Sequence, residues 1–288
     1  MEENEREDSE RIVVGYDGSP EAVTAVRWAT RQAELRSCAL QLVHCSLWPA
    51  ITHNMEPVPG IADSGLRHAA ESIVAEGVAC ARQASESVEI TRSLVYGWPA
   101  ENLRKLAGGA SMLVVGSRGI GGFMGLLVGS VSLELAATAA CPVAVVRSTD
   151  HPDGPVVVGI DREGWEASLH YAASHASYAG TSLRIVHVRK RHEAHAEASD
   201  VGPLEILHSA VRTVRNTSPE LELEDLLLTG TSVAGTLLSA AKDAQLIVVG
   251  TMGQGLVRGS IGSTAHAVLH HASCPVVVVR PPLEVREQ

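Results

Sequence analysis

A glycine-rich segment in the first half of the chain has the composition of a phosphate-binding loop. A short apolar run ends at Gly116, further glycines follow at Gly119 and Gly129, and a helical pattern begins at Ser130. The spacing is Gly-x2-Gly-x9-Gly-Ser. Glycine allows backbone N–H groups to approach an anion closely, and the first amides of a helix have no partner within that helix. The segment therefore predicts a loop that binds phosphate through its main chain.

The same segment does not predict catalysis. The Gly-x4-Gly-Lys-Ser/Thr pattern of nucleotide-hydrolysing P-loops is absent, and so is the Gly-x-Ser-x-Gly elbow of serine hydrolases. We assign no catalytic residue. A tight turn without a ligand is the alternative interpretation, but the position between a strand and a helix, and a second copy of the loop, favour a phosphate site.

The whole pattern recurs in the second half of the chain. The offset between equivalent residues falls from 144 at the first pair to 133 at the last. A repeat of this length indicates two duplicated domains rather than a solenoid. The equivalent pairs are Asp17 and Asp161, Val43 and Val186, Gly116 and Gly250, Gly119 and Gly253, and Gly129 and Gly262.

Apolar runs alternate with helical patterns in each half, which predicts α/β domains with parallel strands. In the first half we predict strands over 11–16, 40–45, 90–96, 112–116 and 142–147, a surface loop over 48–64 and a helix from 66. The domain plan is an acidic tail (1–10), domain 1 (11–147), a linker (148–154), domain 2 (155–281) and a tail (282–288).

The composition of the chain argues against several classes of function. A formal charge of −10 argues against nucleic-acid binding, and no apolar run reaches the ~20 residues that span a bilayer. The chain starts with acidic residues and without a signal-peptide pattern, which predicts a cytoplasmic location. The five cysteines are scattered and indicate reduced thiols.

Four motifs together resemble the universal stress protein family in its tandem form. They are Val-Val-Gly-Tyr-Asp-Gly-Ser (13–19), Leu-Val-Val-Gly-Ser-Arg-Gly (113–119), the glycine loop itself and Cys-Pro-Val-Ala-Val-Val-Arg (141–147). The resemblance implies two doubly wound domains, each a five-stranded parallel sheet with helices on both faces, of the adenine nucleotide alpha hydrolase-like kind. It also implies a regulatory stress-response protein that binds ATP at the carboxyl ends of the strands, with or without magnesium. We expect a homodimer.

The family's nucleotide-binding positions transfer to both halves. The aspartate is expected beside the ribose or a magnesium ion, the second strand's main chain beside adenine, and the glycine loop around the phosphates. In domain 1 the positions are Gly15, Asp17, Val43, Gly116, Ser117, Arg118, Gly119, Gly129, Ser130 and Val131. In domain 2 they are Gly159, Asp161, Val186, Gly250, Gly253, Gly262, Ser263 and Thr264.

Local interpretations remain open for several of these residues. Asp17 is suited to an Asx turn or a helix cap, and Ser130 to capping a helix. Arg118 is as well suited to a solvated loop tip as to a phosphate contact. His44 and His187 end matching strands, where a packed, hydrogen-bonded histidine is the favoured interpretation.

Domain 2 departs from the pattern. Eight residues rather than nine separate Gly253 from Gly262, and Glu163 adds negative charge beside the expected phosphate path. Domain 1 is therefore predicted to be the better ATP site. AMP or cyclic AMP is the alternative ligand, and a slow ATPase or a nucleotide-free interaction module is the alternative function.

No metal ligand is predicted. His192 and His195 lie in a highly charged segment. His270 and His271 are neighbours in sequence, and adjacent residues on a helix do not converge on one ion.

Overall fold

The computed structural model describes residues 11–47, 62–121, 127–148, 150–191, 202–251 and 260–281. The chain divides into two compact units, residues 1–147 and 148–288, named domain 1 and domain 2 below. The predicted tails over 1–10 and 282–288 lie outside the described residues.

Domain 1 is a parallel sheet of five strands in the order β3-β2-β1-β4-β5. Its strands are β1 (Arg11–Gly15), β2 (Ala39–Ser46), β3 (Ile90–Tyr96), β4 (Met112–Gly116) and β5 (Val143–Val146). Its helices are α1 (Pro20–Leu35), α2 (Ala62–Ala84), α3 (Pro99–Leu106) and α4 (Ser130–Thr138). Helices α1 and α2 pack on each other, and so do α3 and α4, which gives the sheet a helical layer on each face.

Domain 2 repeats this arrangement, with strand order β8-β7-β6-β9-β10 and all neighbours parallel. Its strands are β6 (Val156–Ile160), β7 (Leu183–Lys190), β8 (Leu223–Gly230), β9 (Leu246–Gly250) and β10 (Val276–Val279). Its helices are α5 (Glu166–Ala179), α6 (Pro203–Thr217), α7 (Val233–Ala240) and α8 (Ser263–His271). The fold-class prediction is confirmed.

The strand order creates a crevice in each domain. From β1 the chain crosses to β2 on one side, whereas β4 joins β1 on the other side, and β6 has the same place between β7 and β9. Loops after such strands diverge and leave a cleft at the carboxyl ends. Apart from Arg11 at the start of β1, the central strands are apolar, and every residue of β4 is buried.

Two helices of domain 1, α1 and α4, differ in how their first turn is capped. Ser19 caps α1, and its Oγ accepts a hydrogen bond from the Ala22 amide at 3.2 Å. The predicted cap at Ser130 is wrong, because the extended residue before α4 is Gly129 and Ser130 is already helical.

The predicted loop over 48–64 ends too late, because α2 begins at Ala62. Gly65, within the first turns, costs a helix only about 1 kcal/mol, too little to stop one of 23 residues whose later turns pack on the sheet. Residues 48–61 lie outside the described part of the chain. None of the described helices has the length and apolarity needed to cross a membrane.

Candidate functional site

A cavity of about 460 Å³ opens in domain 2 where β6, β7 and β9 end and α8 begins. Seven of the eight residues predicted for this domain line it: Gly159, Asp161, Val186, Gly250, Gly262, Ser263 and Thr264. The eighth, Gly253, lies outside the described residues. The structure therefore gathers residues that are up to 105 positions apart in sequence, from 159 to 264, around one space.

Sequence reasoning missed part of the cavity wall. Val188 and Lys190 lie on β7 beyond Val186 and line the cavity with it. Alternate residues of a strand share a face, so a period of two from Val186 would have found them. Trp165 and Leu237 also contribute to the wall, and no local pattern in the sequence indicates their role.

The start of α8 presents uncapped amides at this cavity. Gly262 precedes the helix in an extended conformation (φ −65°, ψ 152°) and has no side chain to cap it. The first bond of the helix runs from the His266 amide to the Gly262 carbonyl at 2.8 Å. Among the residues that the structure describes, the amides of Ser263 and Thr264 meet no acceptor. Such amides, at the positive end of the helix dipole, form an anion site.

Helix α7 of the same domain shows the alternative arrangement. Its preceding residue, Ser232, accepts a hydrogen bond on Oγ from the Gly235 amide at 3.2 Å. A side chain thus satisfies one of the first amides of α7, whereas Gly262 offers no side chain to those of α8.

The charged groups lining the cavity are balanced among the described residues. Asp161 and Glu163 contribute carboxylates, and Arg162 and Lys190 contribute cations. Asp161 Oδ1 accepts a hydrogen bond from the Arg162 amide at 2.8 Å. The negative charge of Glu163 is at the cavity wall, as predicted, but cations lie on the same wall.

In domain 1 the Asp17 carboxylate is already hydrogen-bonded to the main chain. Oδ1 accepts from the Ser19 amide at 3.0 Å, and Oδ2 accepts from the Ile120 amide at 2.9 Å. The first bond confirms the predicted Asx turn, and Gly18 makes that turn with φ +85°. The second bond ties the start of the glycine loop to the end of β1. A Cβ atom added to Gly119 would collide with Oδ2, so glycine is needed for this approach.

The Arg118 side chain forms an ion pair and is not simply a solvated arginine at the tip of a loop. Its Nε and Nη2 donate to Glu21 Oε1 at 2.9 and 2.5 Å, with the Arg118 side chain 47% exposed and that of Glu21 19% exposed. Arg147 Nη2 donates to the Leu127 carbonyl at 2.6 Å on the other arm of the loop. Burial and the neighbouring Arg118 charge lower the pKa of Arg147.

Main-chain bonds close the base of the same loop. The Gly129 amide donates to the Ser117 carbonyl at 2.7 Å, and the Ser117 amide donates to the Val146 carbonyl at 2.8 Å. These two predicted phosphate donors are therefore used internally. The amides of Ser130 and Val131 meet no acceptor among the described residues, as at the start of α8.

Three of the predicted glycines are explained by packing. A Cβ on Gly15 would lie 3.0 Å from Leu103 Cδ1, and one on Gly159 would lie 2.8 Å from Leu237 Cδ2. A Cβ on Gly116 would lie 2.8 Å from the backbone carbon of Glu21 in α1. The absence of a side chain at these positions lets helices approach the carboxyl ends of β1, β6 and β4.

The two strand-end histidines have the same structural role in both domains. His44 Nδ1 donates to the Tyr16 carbonyl at 2.8 Å, and His187 Nδ1 donates to the Ile160 carbonyl at 3.0 Å. Because a carbonyl only accepts, Nδ1 carries the proton. Both rings are buried, which confirms the packed interpretation. The Val43 carbonyl accepts from the Tyr16 amide at 2.8 Å, so it is also engaged within the sheet.

These features define a class of protein with two α/β domains, each with a switch point in its sheet, and with a cavity at the switch point of domain 2. A sequence model described as the universal stress protein family matches residues 9–147 and again residues 154–280. The chain belongs to the universal stress protein family.

Curated relatives span almost the whole chain. A universal stress protein of Mycobacterium tuberculosis strain H37Rv is 34% identical over 94% of this chain and 95% of its own. One from Mycolicibacterium smegmatis is 31% identical over 94% of this chain and 97% of its own.

Among solved structures, a universal stress protein from Archaeoglobus fulgidus covers 96% of this chain and 99% of its own, with a TM-score of 0.72 and 19% identity. This likeness shows the fold. A shorter one from the same organism, in complex with dAMP, covers 44% of this chain and 97% of its own, with a TM-score of 0.36 and 27% identity.

Proposed function

We propose that this universal stress protein is an ATP-binding regulatory protein of the stress response. The observation that carries the proposal is the glycine-led start of α8, whose uncapped amides meet a cavity of about 460 Å³. That volume is within the ~300–1,000 Å³ of small-molecule sites, and the position at the carboxyl ends of parallel strands is where α/β sheets bind ligands.

The proposed pose follows from the cavity wall. The phosphates meet the amides of Ser263 and Thr264, where the helix dipole favours negative charge. Asp161, at the end of β6, accepts hydrogen bonds from the ribose hydroxyls. Apolar side chains of β7, Val186 and Val188, lie beside the adenine.

Domain 1 is proposed to bind ATP in the same manner, at the start of α4. Its loop donor Ile120 N and the Arg118 guanidinium are held by the carboxylates of Asp17 and Glu21. A nucleotide phosphate that contacts either of these two groups has to displace a carboxylate, and a magnesium ion bound with the nucleotide would give the displaced Asp17 a new partner.

We further propose that the protein acts in the cytoplasm as a homodimer, and that it works by binding rather than by turnover. A ligand that binds only the folded state stabilises it by about 2.7 kcal/mol at 100 times its Kd. If ATP binds only one of two folded conformations, the same gain shifts their ratio about 100-fold.

The test introduces a side-chain cap where glycine leaves the helix open. We expect Gly262→Asp and Gly129→Asp each to weaken ATP binding at its own domain at least tenfold, about 1.4 kcal/mol, by isothermal titration calorimetry. The new carboxylate accepts from the amides that would hold phosphate and repels the ligand. The backbone at both positions is extended and suits any residue, and Asp is a good cap, so thermal stability should not fall.

Asparagine at the same positions is the matched control, because it caps the helix without adding charge. It separates the effect of occupying the amides from the effect of repelling the phosphates. Mass spectrometry of nucleotide released from freshly purified protein identifies the ligand, with AMP and cyclic AMP as the other outcomes. An absence of both binding heat and bound nucleotide would favour an interaction module instead. Steady turnover of Mg-ATP above background would favour a slow ATPase.

A further inference from the structure

Two imidazole rings lie side by side on α8, away from the residues that begin this helix at the cavity. His266 and His270 are four positions apart, and their ring centroids are 4.5 Å apart with the planes tilted by 36°. His266 is exposed and His270 is half-buried. The third histidine, His271, is turned to another side of the helix, with its ring centroid 6.3 Å from that of His270.

This spacing suits chelation of one ion. Histidines at i and i+4 share a helix face, as in zinc sites that have this pattern. Each imidazole nitrogen binds zinc at about 2.0–2.1 Å, which sets the two ring centroids roughly 5 Å apart at a tetrahedral ion. The observed separation of 4.5 Å is near that value, and binding requires each ring to turn until one of its nitrogens faces a common point.

The fold does not require this histidine pair. The equivalent helix of domain 1, α4, has Leu133 and Ala137 at the positions of His266 and His270, each 133 residues earlier. An aliphatic residue and a small residue thus complete the same helix in the same kind of domain. The two imidazoles are an addition specific to domain 2.

We propose that His266 and His270 form a two-imidazole site for a divalent ion of the zinc, copper and nickel class. Imidazole is a preferred ligand of these ions, whereas magnesium and calcium prefer oxygen. Among the described residues no group of three or more His, Cys, Asp or Glu side chains is arranged to hold a metal ion. Water therefore completes the coordination shell, and the ion exchanges readily.

Within α8, the sequence prediction of no metal ligand considered only the neighbours His270 and His271. The pair that matters is separated by a full helical turn, and the pattern His-x3-His was visible in the sequence. The proposal is independent of nucleotide binding, since neither histidine lines the cavity.

Zinc chloride titrated into the full-length, untagged protein tests the proposal. His192 and His195 are replaced by alanine in every sample, because they lie outside the described residues and offer a competing pair. We expect calorimetry to show one zinc site that is lost, or weakened at least tenfold, by His266→Ala and by His270→Ala. His271→Ala is the matched control and should keep the site.

His266→Leu copies the residue of domain 1 and should remove the site while the helix stays folded, as circular dichroism will show. Zinc should also raise the melting temperature of the parent protein but not of this variant. Unchanged zinc affinity in His266→Leu, an equal loss in His271→Ala, or no zinc binding by the parent protein would each overturn the proposal.

Discussion

The two domains have the same order of elements but differ in the groups found where the central strands end. In domain 1 the carboxylates of Asp17 and Glu21 hold the Ile120 amide and the Arg118 guanidinium. In domain 2 the position equivalent to Glu21, 144 residues later, is Trp165, which lines the open cavity. Domain 1 thus has two carboxylates bonded to groups of its glycine loop. The cavity of domain 2 is lined instead by Trp165 and by equal numbers of carboxylates and cations.

This difference bears on the preference for domain 1 that the sequence suggested. The motif of domain 1 is the more complete, yet its donors already have anionic partners in the structure. A donor that already has a partner in the free protein contributes to the binding free energy only the difference between its bond to the ligand and its bond to that partner. How closely a domain matches the family motif therefore does not determine whether its hydrogen-bond donors are free to meet a ligand. The affinities of the two domains for ATP have to be measured.

The largest effect on stability is expected at Gly116, the glycine that lets α1 cross the end of β4. Gly116→Ala places a methyl group 2.8 Å from the backbone of Glu21, and a backbone cannot rotate away as a side chain can. We expect domain 1 to lose about 1–3 kcal/mol of unfolding free energy. Urea denaturation measures the loss, and hydrogen exchange assigns it to domain 1. Gly121→Ala, whose added Cβ meets nothing within 4 Å, should change little.

A second contrast concerns a tyrosine that domain 2 lacks. Tyr16 is buried and donates to Glu76 on α2 at 2.9 Å, whereas the equivalent residue of domain 2 is Ile160. Tyr16→Phe should destabilise domain 1 by about 1 kcal/mol near neutral pH. Tyr96→Phe, at an exposed ring, serves as the control in the same thermal melts.

The same hydroxyl makes domain 1 sensitive to alkali. Burial, with the hydrogen bond to Glu76 next in size, raises the pKa of Tyr16 above its ordinary value. The folded state therefore keeps a proton that the unfolded chain releases above about pH 10, so this contribution is full below that pH and is lost as pH rises. Hydrogen exchange should show domain 1 losing stability with alkali in the parent protein. An equal loss in Tyr16→Phe would contradict this origin.

Sequence patterns predicted the elements because their causes are local. Strand β4 was predicted to the residue, since a run of apolar residues bounded by serine and glycine leaves little choice. The bond from the Ile120 amide to Asp17 spans 103 positions and the ion pair of Arg118 with Glu21 spans 97, and such contacts leave no periodic trace in one sequence. The repeat in the sequence predicted which residues line the cavity of domain 2. It did not predict that the Ile120 amide and the Arg118 guanidinium of domain 1 are already bonded to carboxylates.

The ion pair of domain 1 can be removed without changing its shape. Glu21→Gln keeps the volume of the side chain and frees the Arg118 guanidinium for a phosphate. Partly exposed pairs of this kind are worth about 0.2–1 kcal/mol, so we expect ATP to bind domain 1 up to about fivefold more tightly. Calorimetry in a Gly262→Asp background, which weakens ATP binding at domain 2, measures the change at domain 1. Arg67 and Glu71 form an exposed pair on α2, and Glu71→Gln is the control. Weaker ATP binding in Glu21→Gln would show that Glu21 positions Arg118 rather than competing for it.

The smallest effect is expected from the carboxylate that distinguishes the wall of domain 2. Glu163 is exposed at the cavity, opposite in charge to Arg162 and Lys190, and solvent screens much of its field. Glu163→Gln should strengthen ATP binding at domain 2 by about twofold and AMP binding by less, because repulsion grows with ligand charge. Competition titrations in a Gly129→Asp background give the ratio of the two affinities, and added salt should diminish the change. A ratio that is the same with glutamate and glutamine would mean that the phosphate tail lies away from Glu163. The weaker motif match of domain 2 would then have to act through loop length rather than through charge.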